Sequence, residues 1–380
     1  MNHGGVNPSA EEEMNKRVFN DDLLVNTGDY EYAKRQFSEV FEILDHQELR
    51  EQFLKYDCIA NRAKEHVRWI GIFAVCSAGI ALVSTATEPL WQDVCYAGGL
   101  RVIFEVCGLV AAIIATGSLW LGPWRKRWLE GRFMTERLRQ WHFQLLVCKG
   151  VEIEALMDRR TSDSVAEFKA SRTMWFDDFL HEYTGKLDSR MDSLTSDPDY
   201  GSDWLHRSTK YSPDSSALRQ IFDPYLRLRL IHQYDYATHK LSEATDHPFW
   251  QFLRWPLLRQ DSAIRGAVSF CFVVALLSSV GIIINRYFDV RPGLDSYLGI
   301  SALVTAILGI AFRTVQEGLG ITRDIERYRD YRGKVRRILF FFEETEDLQQ
   351  RIQLMQEMEL MVVDELRGFL RTHRGATFVL

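Results

Sequence analysis

Four stretches of this chain carry no charged residue for 17 to 20 positions, and they dictate what it can fold into. Trp69–Thr87 (WIGIFAVCSAGIALVSTAT) and Val106–Trp124 (VCGLVAAIIATGSLWLGPW) run 19 residues each. Gly266–Asn285 (GAVSFCFVVALLSSVGIIIN) runs 20, and Ser296–Phe312 (SYLGISALVTAILGIAF) runs 17. At ~1.5 Å per residue, about 20 helical residues cross a hydrocarbon core of about 30 Å, and about 17 is the lower limit. A buried core helix is the competing reading, strongest for the fourth and shortest run. Run length and flanking charge together place all four in a membrane. The averages of the whole chain, 46% hydrophobic and 26% charged with a net charge of −6, resemble those of a soluble protein and conceal this segregation.

Basic residues orient the spans. Arg62, Lys64 and Arg68 precede the first, and Arg125, Lys126 and Arg127 follow the second. The link between them holds Glu88, Asp93, Arg101 and Glu105. Arg254, Arg259 and Arg265 precede the third span, and Arg313, Arg323 and Arg327 follow the fourth, around a link (RYFDVRPGLD) with two Arg and two Asp. Lys and Arg in short loops favour the cytoplasmic side. Both hairpins are therefore expected to enter from the cytosol and return to it, leaving both termini and the middle section there. The outer links, about ten to twenty residues, are too short for a receptor domain, so a signal would arrive from inside. Trp69, Trp120 and Trp124 mark the inner boundary, Trp128 lies one turn beyond, and Trp91 marks the outer one. The segment His247–Gln260 (HPFWQFLRWPLLRQ) reads as an interfacial helix in the membrane plane, broken at Pro256.

The expected organisation is an N-terminal cytosolic helical region (1–68), a transmembrane hairpin (69–124), a cytosolic helical domain (125–265), a second hairpin (266–312) and C-terminal cytosolic helices (313–380). The polar first 68 residues show no cleavable signal peptide. Apolar residues recur at helical spacing at Phe37, Val40, Phe41, Leu44, Leu49 and Phe53. Residues 188–216, rich in Asp, Ser, Pro and Gly, read as a long loop. Near the C-terminus Val335, Ile338, Leu339 and Phe342, then Leu348, Ile352, Met355, Leu360, Val363 and Leu366, form a stripe. Such a stripe needs cover from another helix of the chain or from a second subunit. No sustained period-two alternation occurs, so the fold class is all-α: a polytopic membrane protein with four transmembrane helices in two hairpins and a helical cytosolic domain. YDCIANRAK before the first hairpin faintly echoes YDYATHK before the second, as two similar hairpins about a pseudo-axis would.

Chemistry-bearing motifs do not emerge. The six cysteines form no CxxC pair, and the ten histidines are scattered, which fits neither a disulfide framework nor a metal site. There is no P-loop, Rossmann glycine triplet, HExxH or GxSxG, so neither an enzyme nor a cofactor is expected. Asp192, Asp197, Asp199 and Asp203 lack the spacing of an EF-hand. The acidic net charge, without a basic stripe, excludes general nucleic-acid binding.

Polar residues at the membrane borders carry more information. Arg101, Glu105, Asn285 and Arg286 would line the outer mouth of a pore, or else anchor the helices by snorkelling. In LGPWRKRWLEGRFMTERLRQW, Trp124, Arg125, Lys126, Arg127 and Trp128 are inner-boundary anchors, and Arg132 and Glu136 continue into a coupling helix. Small residues at i, i+4 (Ala74/Ala78, Ser77/Ala81, Gly108/Ala112, Ala111/Ala115, Ser301/Thr305/Gly309) permit close helix packing in the bilayer, within a bundle or an oligomer.

The segment FLKYDCIANRAKEHVRWIGIFA, a short hairpin, and then WRKRWLEGRFMTERLRQWHFQLL together resemble the SLATT domain over residues 53–147. That family comprises two-span membrane proteins of bacterial conflict systems with an Arg/Glu/Trp-rich cytosolic helix directly after the second span. The whole chain is similar to the related four-span effectors associated with nucleotidyltransferases. The resemblance implies a homo-oligomeric effector of the bacterial inner membrane, pore-forming or membrane-disrupting in antiviral defence. It further implies a trigger that is a cytosolic activator protein or a nucleotide second messenger, with the lipid bilayer as the other partner. The chain departs from the two-span pattern in its second hairpin and in the 141-residue section 125–265, which leaves room for a sensing domain. A regulated ion channel with a housekeeping role, and a non-conducting scaffold that recruits a cytosolic enzyme through the C-terminal stripe, remain alternatives.

Overall fold

The computed structural model describes residues 20–91, 102–103, 106–108, 110, 113, 118–206, 211–212, 215–243, 247–288 and 291–375. Among these residues the regular elements are helical. In chain order they are α1 (Thr27–Gln36), α2 (Phe41–Leu44), α3 (Gln47–Trp91), α4 (Ser118–Cys148), α5 (Gly150–Arg159), α6 (Ser162–Tyr183) and α7 (Leu187–Ser196). There follow α8 (Asp203–His206), α9 (Ser216–Tyr225), α10 (His232–Lys240), α11 (Leu257–Phe288), α12 (Leu294–Leu319), α13 (Ile321–Glu344) and α14 (Leu348–Arg374). They form two compact units. A polar unit draws on the described parts of Met1–Asn61, Trp128–Asp246 and Ile325–Arg374, and an apolar unit on those of Arg62–Arg127 and His247–Asp324. By these ranges α3, α4 and α13 each contribute residues to both.

In the apolar unit α11 and α12 form an antiparallel hairpin that turns at Gly293, where φ is +81°, a conformation that costs little only without a Cβ. Asn285 holds the turn closed: its Nδ2 donates to the Arg291 carbonyl (3.1 Å) and to Asp295 Oδ1 (2.8 Å), and its Oδ1 accepts from the Arg291 amide (3.0 Å). Arg286 adds an ion pair to Asp295 at 3.0 Å. Halfway along, Ser278 and Ser301 hydroxyls meet at 3.2 Å. A Cβ on Gly281 would stand 3.0 Å from Leu298 Cδ1, so the leucine side chain packs directly on the glycine backbone. The small residues of the other runs lie at contacts too: a Cβ on Gly108 would fall 2.6 Å from Ala81 Cβ, one on Gly309 3.6 Å from Cys271 Cβ, and one on Gly79 3.8 Å from Ala311 Cβ.

Three helical stretches are long and apolar enough to cross a membrane: Gln47–Pro89, Leu257–Phe288 and Leu294–Leu319. Only 22, 11 and 6% of their most apolar windows is buried by protein, which leaves side chains such as Phe270, Phe272, Leu277 and Ile283 facing outward. Soluble monomers rarely expose apolar patches beyond a few hundred Å², and a row of uncovered aliphatic and aromatic side chains on a helix of membrane-spanning length is matched by lipid. Of the expected second span, positions 109, 111–112 and 114–117 lie outside the described residues, and the positions described are helical. Before α11, Phe249–Arg254 is a short 3-10 helix; Pro256, following extended Trp255, stands immediately before the new helix, where its missing N–H costs nothing.

The polar unit buries the apolar faces that the sequence displays. Leu49 and Phe53 of α3, Phe133, Leu138 and Phe143 of α4, and Leu218 and Tyr225 of α9 are in its core. The C-terminal stripe is covered within the chain: Val335, Ile338, Phe342, Met355, Val363 and Leu366 are buried, and Phe342 meets Phe222 edge-on at 5.6 Å. Part of the expected loop 188–216 is helical instead, forming α7 and α8. Its polar composition hides two apolar residues at helical spacing, Met191 and Leu194, both buried. The carbonyls at the end of α7 are met from α14: Arg367 donates to Leu194 (2.8 Å) and Arg371 to Thr195 (2.8 Å), and Arg367 also reaches Pro198 just beyond the helix (2.9 Å).

Gly131 of α4 crosses Ala60 of α3 so closely that a Cβ would lie 3.0 Å from both the Ala60 nitrogen and its Cβ. Gly131→Leu is expected to lose about 1–3 kcal/mol of stability by overpacking. Gly28→Ala, in the first turn of α1 with nothing within 4 Å of the added Cβ, is expected to gain up to about 1 kcal/mol. Thermal unfolding followed by circular dichroism in detergent measures both.

Candidate functional site

The helix after the second apolar run was expected to anchor and couple, and its residues fall into two groups. Trp124, Arg125, Lys126 and Arg127 belong to the apolar unit. There Trp124 stacks on His66 (ring centroids 4.4 Å apart, 7° between planes), and the Arg127 guanidinium lies 5.2 Å from the Trp124 ring centre. Trp128 opens the polar unit and is buried against Phe369 (5.8 Å) and His373 (4.9 Å). Arg101 and Glu105 lie outside the described residues, as do the side chains of Trp91 and Trp120. Asn285 and Arg286 are the residues that close the α11–α12 turn.

From Arg132 onward α4 carries charge into the core. Arg132 pairs with Glu136 (2.6 Å), Glu136 with Arg139 (2.9 Å), and Arg139 with the fully buried Asp22 (2.6 Å). His232 Nδ1 lies 2.9 Å from Asp21. Burial would raise the Glu136 carboxyl, but Arg132, Arg139 and Arg229 outweigh it and hold it down at about 2, so it stays ionised. A cavity of about 20 Å³ among Arg132, Glu136, Arg139, His232, Tyr236 and Tyr328 has room for a single water.

Deeper still, Arg229 and Glu359 meet with no solvent exposure on either side chain. The pair is bidentate, Nε to Oε1 at 2.8 Å and Nη2 to Oε2 at 2.6 Å, and the Tyr225 hydroxyl donates to Oε1 at 2.9 Å. The Phe143 ring covers the guanidinium at 4.6 Å. Arg229 sits in a wide π turn, Leu226–Ile231, that follows Pro224, whose missing N–H interrupts the helical ladder.

A second, much larger cavity of about 490 Å³ opens in the same unit beside α4 and α6. Its walls include Trp141, Trp175, Phe179, Tyr183 and Trp204, with the polar groups of Arg137 and Gln144 among them. Lys149 Nζ lies 4.0 Å from the centre of the Trp175 ring. Burial pushes the Cys148 thiol, also on this wall, up to about 11, so it is protonated at neutral pH. Sequence reasoning missed this site. Trp141 and Trp175 were visible only as members of amphipathic helices, and Trp204 lay in the stretch read as a loop. Among the described residues no cluster of three His, Cys, Asp or Glu is placed to hold a metal ion. No protein-family model matches the chain, and no characterised protein or solved structure matches it significantly.

Two buried histidines give this unit a pH response. His46, between Trp141 (5.4 Å) and Phe176 (4.7 Å), is lowered to about 2, first by burial and then by Arg172, His142 and Arg50. His142 is lowered to about 3 by burial, Arg172, Arg229 and Arg50. Both are neutral when folded but bind a proton near pH 6.5 when unfolded, so the unfolded state gains protons as pH falls. Stability is full above about pH 6.5 and declines below it, by about 1.4 kcal/mol per pH unit for each histidine, until the folded values are reached. The unfolding temperature is expected to fall steadily from pH 6.5 to 4.5, and His142→Gln to reduce that slope by about half. A slope that the substitution leaves intact would contradict the assignment.

Proposed function

We propose that the chain is an effector of the bacterial inner membrane that permeabilises it in antiviral defence when a cytosolic signal or partner engages the polar unit. The observation that carries this reading is the division of one chain between long helices with uncovered apolar faces and a folded polar unit with a ligand-sized cavity. In this reading four spans form two hairpins that open toward the cytosol, as the flanking Arg and Lys favour. Copies of the chain assemble through the remaining small-residue faces. Arg101, Glu105, Asn285 and Arg286 stand at the outer mouth, and part of the Asn285–Arg286–Asp295 cluster opens as the pore forms. The continuity of α4, from the end of the second apolar run through the buried Trp128 and the half-buried Arg132 to the buried Glu136 of the polar unit, makes it the coupling helix. The resemblance to SLATT-type and four-span conflict effectors supports the same reading.

Purified protein at high density in liposomes is expected to release trapped dye, and its expression to depolarise the inner membrane and arrest growth. Two glycines inserted after Lys126 are expected to abolish leakage while leaving membrane insertion intact. Vesicles that stay sealed at every protein density, with cells that keep their membrane potential, would overturn the proposal. Selective conductance without leakage or toxicity would instead mark a regulated channel.

A further inference from the structure

We propose that the end of the apolar unit away from the Gly293 turn binds anionic phospholipid, gripping the headgroup phosphate with arginine guanidinium groups. The fold assembles this end from four separate segments. Arg68 of α3 donates through Nη1 to the Leu253 carbonyl at 3.3 Å, which joins the start of the first apolar run to the segment before α11. The stack of His66 on Trp124 joins it to the end of the second run. Gln316 Nε2 donates to Asp261 Oδ1 at 2.6 Å, which joins the last turn of α12 to the beginning of α11. Residues 62–68, 125–127, 254–265 and 313–324 hold eleven Arg and Lys against four Asp and Glu, in a chain whose net charge is −6. Of the charged residues outside the described set, Asp246 adjoins one of these segments, and Asp93, Arg101, Glu105 and Asp289 belong to the links between spans. With all five counted the balance stays basic.

Some of these cations are engaged within the protein: Arg265 pairs with Asp261 (2.8 Å) and Arg313 with Glu317 (3.0 Å). Arg62, Arg127, Arg254 and Arg259 are exposed, and among the described residues no carboxylate lies within ion-pair distance of them. The guanidinium groups of Arg127 and Arg259 lie over Trp124 and Trp255, at 5.2 and 5.5 Å from the ring centres. A guanidinium stacked on an indole keeps its N–H edge, which matches phosphate in bidentate fashion. The place of the cluster decides the source of the phosphate. Beyond Arg68 on α3 stand Trp69 and, one turn on, Phe73, each 56% exposed, and the apolar window of that helix is only 22% buried by protein. Tryptophan at such a border favours the headgroup layer. A phosphate that carries acyl chains satisfies both the arginines and the uncovered apolar side chains, whereas a soluble phosphate satisfies the arginines alone. Clusters of basic residues beside a span recognise anionic headgroups, each residue contributing about fivefold to binding. The inference rests on membrane insertion and not on permeabilisation.

The full-length protein in nonionic detergent, titrated with phosphatidylglycerol, diphosphatidylglycerol or phosphatidylcholine, tests this by native mass spectrometry and by unfolding temperature. At least one anionic lipid is expected to bind saturably, at a fixed number per chain, and to raise the unfolding temperature; phosphatidylcholine is expected to do neither. Arg254→Gln with Arg259→Gln is expected to weaken anionic-lipid binding by about fivefold for each arginine removed. Lys169→Gln with Lys334→Gln, which removes the same charge from exposed sites of the polar unit, is expected to leave binding unchanged. Arg62→Gln with Arg127→Gln carries the test if the first pair of substitutions prevents folding. Equal binding of phosphatidylcholine, affinity unchanged in both arginine variants, or an equal loss in the lysine variant would overturn the proposal. Displacement of the lipid by equimolar inorganic phosphate would overturn it too, since it would mark a site for the free ion. None of these readouts involves leakage, so sealed vesicles would leave the binding result standing, and the reverse.

Discussion

Apolar helical surface that no protein covers is the constraint on which the rest of this chain depends. The windows that define the three membrane-length helices are buried by protein over less than a quarter of their residues, and that surface must find a solvent that is not water. A helix satisfies its own backbone, so it can meet lipid directly. What joins such helices cannot then be the hydrophobic effect, because lipid is as apolar as leucine. Contact by shape takes its place. Gly108 against Ala81, Gly281 against the Leu298 side chain and Gly309 against Cys271 Cβ let neighbouring helices pack closely where a side chain is missing, and Ser278 with Ser301 adds a hydrogen bond within the hairpin.

The polar unit solves the opposite problem. It forms a conventional apolar core, yet it also carries an unusual quantity of buried charge: Asp22, Glu136, Arg139, Arg229 and Glu359 all lie inside it. Removing one member of such a pair leaves an uncompensated ion and costs about 3–5 kcal/mol, whereas replacing both can be neutral. Their presence is therefore weak evidence for net stability, and what the structure shows of them is their geometry. Arg229 can dock only where Glu359, the Tyr225 hydroxyl and the face of Phe143 converge, which fixes how the helices of 216–240 meet α14.

Much of this was legible in the sequence because its signals are physical and local. Uncharged runs of 17 to 20 residues and helical spacing in Phe37–Phe53 and Val335–Leu366 point directly to long apolar helices and to an all-helical fold. The stripe at Val335, Ile338 and Phe342 demanded cover, and helices of the same chain provide it. Two features escaped for one reason: they depend on residues far apart in the chain. Helix α7 forms in an Asp- and Ser-rich stretch because Arg367 and Arg371, about 170 positions later, accept the task of closing its carbonyls. The large cavity likewise joins Gln144, Trp175 and Trp204, none of which carries a signal alone. Asn285 reads as a border residue and turns out to be the brace of a hairpin turn, through a Gly293 whose positive φ no periodicity reveals.

The central claim, that one chain is divided between lipid and water, is tested most directly by spin-label accessibility in reconstituted vesicles. Labels at Leu277 and Ile283 of α11 are predicted to collide freely with oxygen and hardly with an aqueous nickel chelate. A label at Met174, an exposed residue of α6, is predicted to show the reverse. Ready access of the nickel chelate to Leu277 and Ile283 would contradict the account.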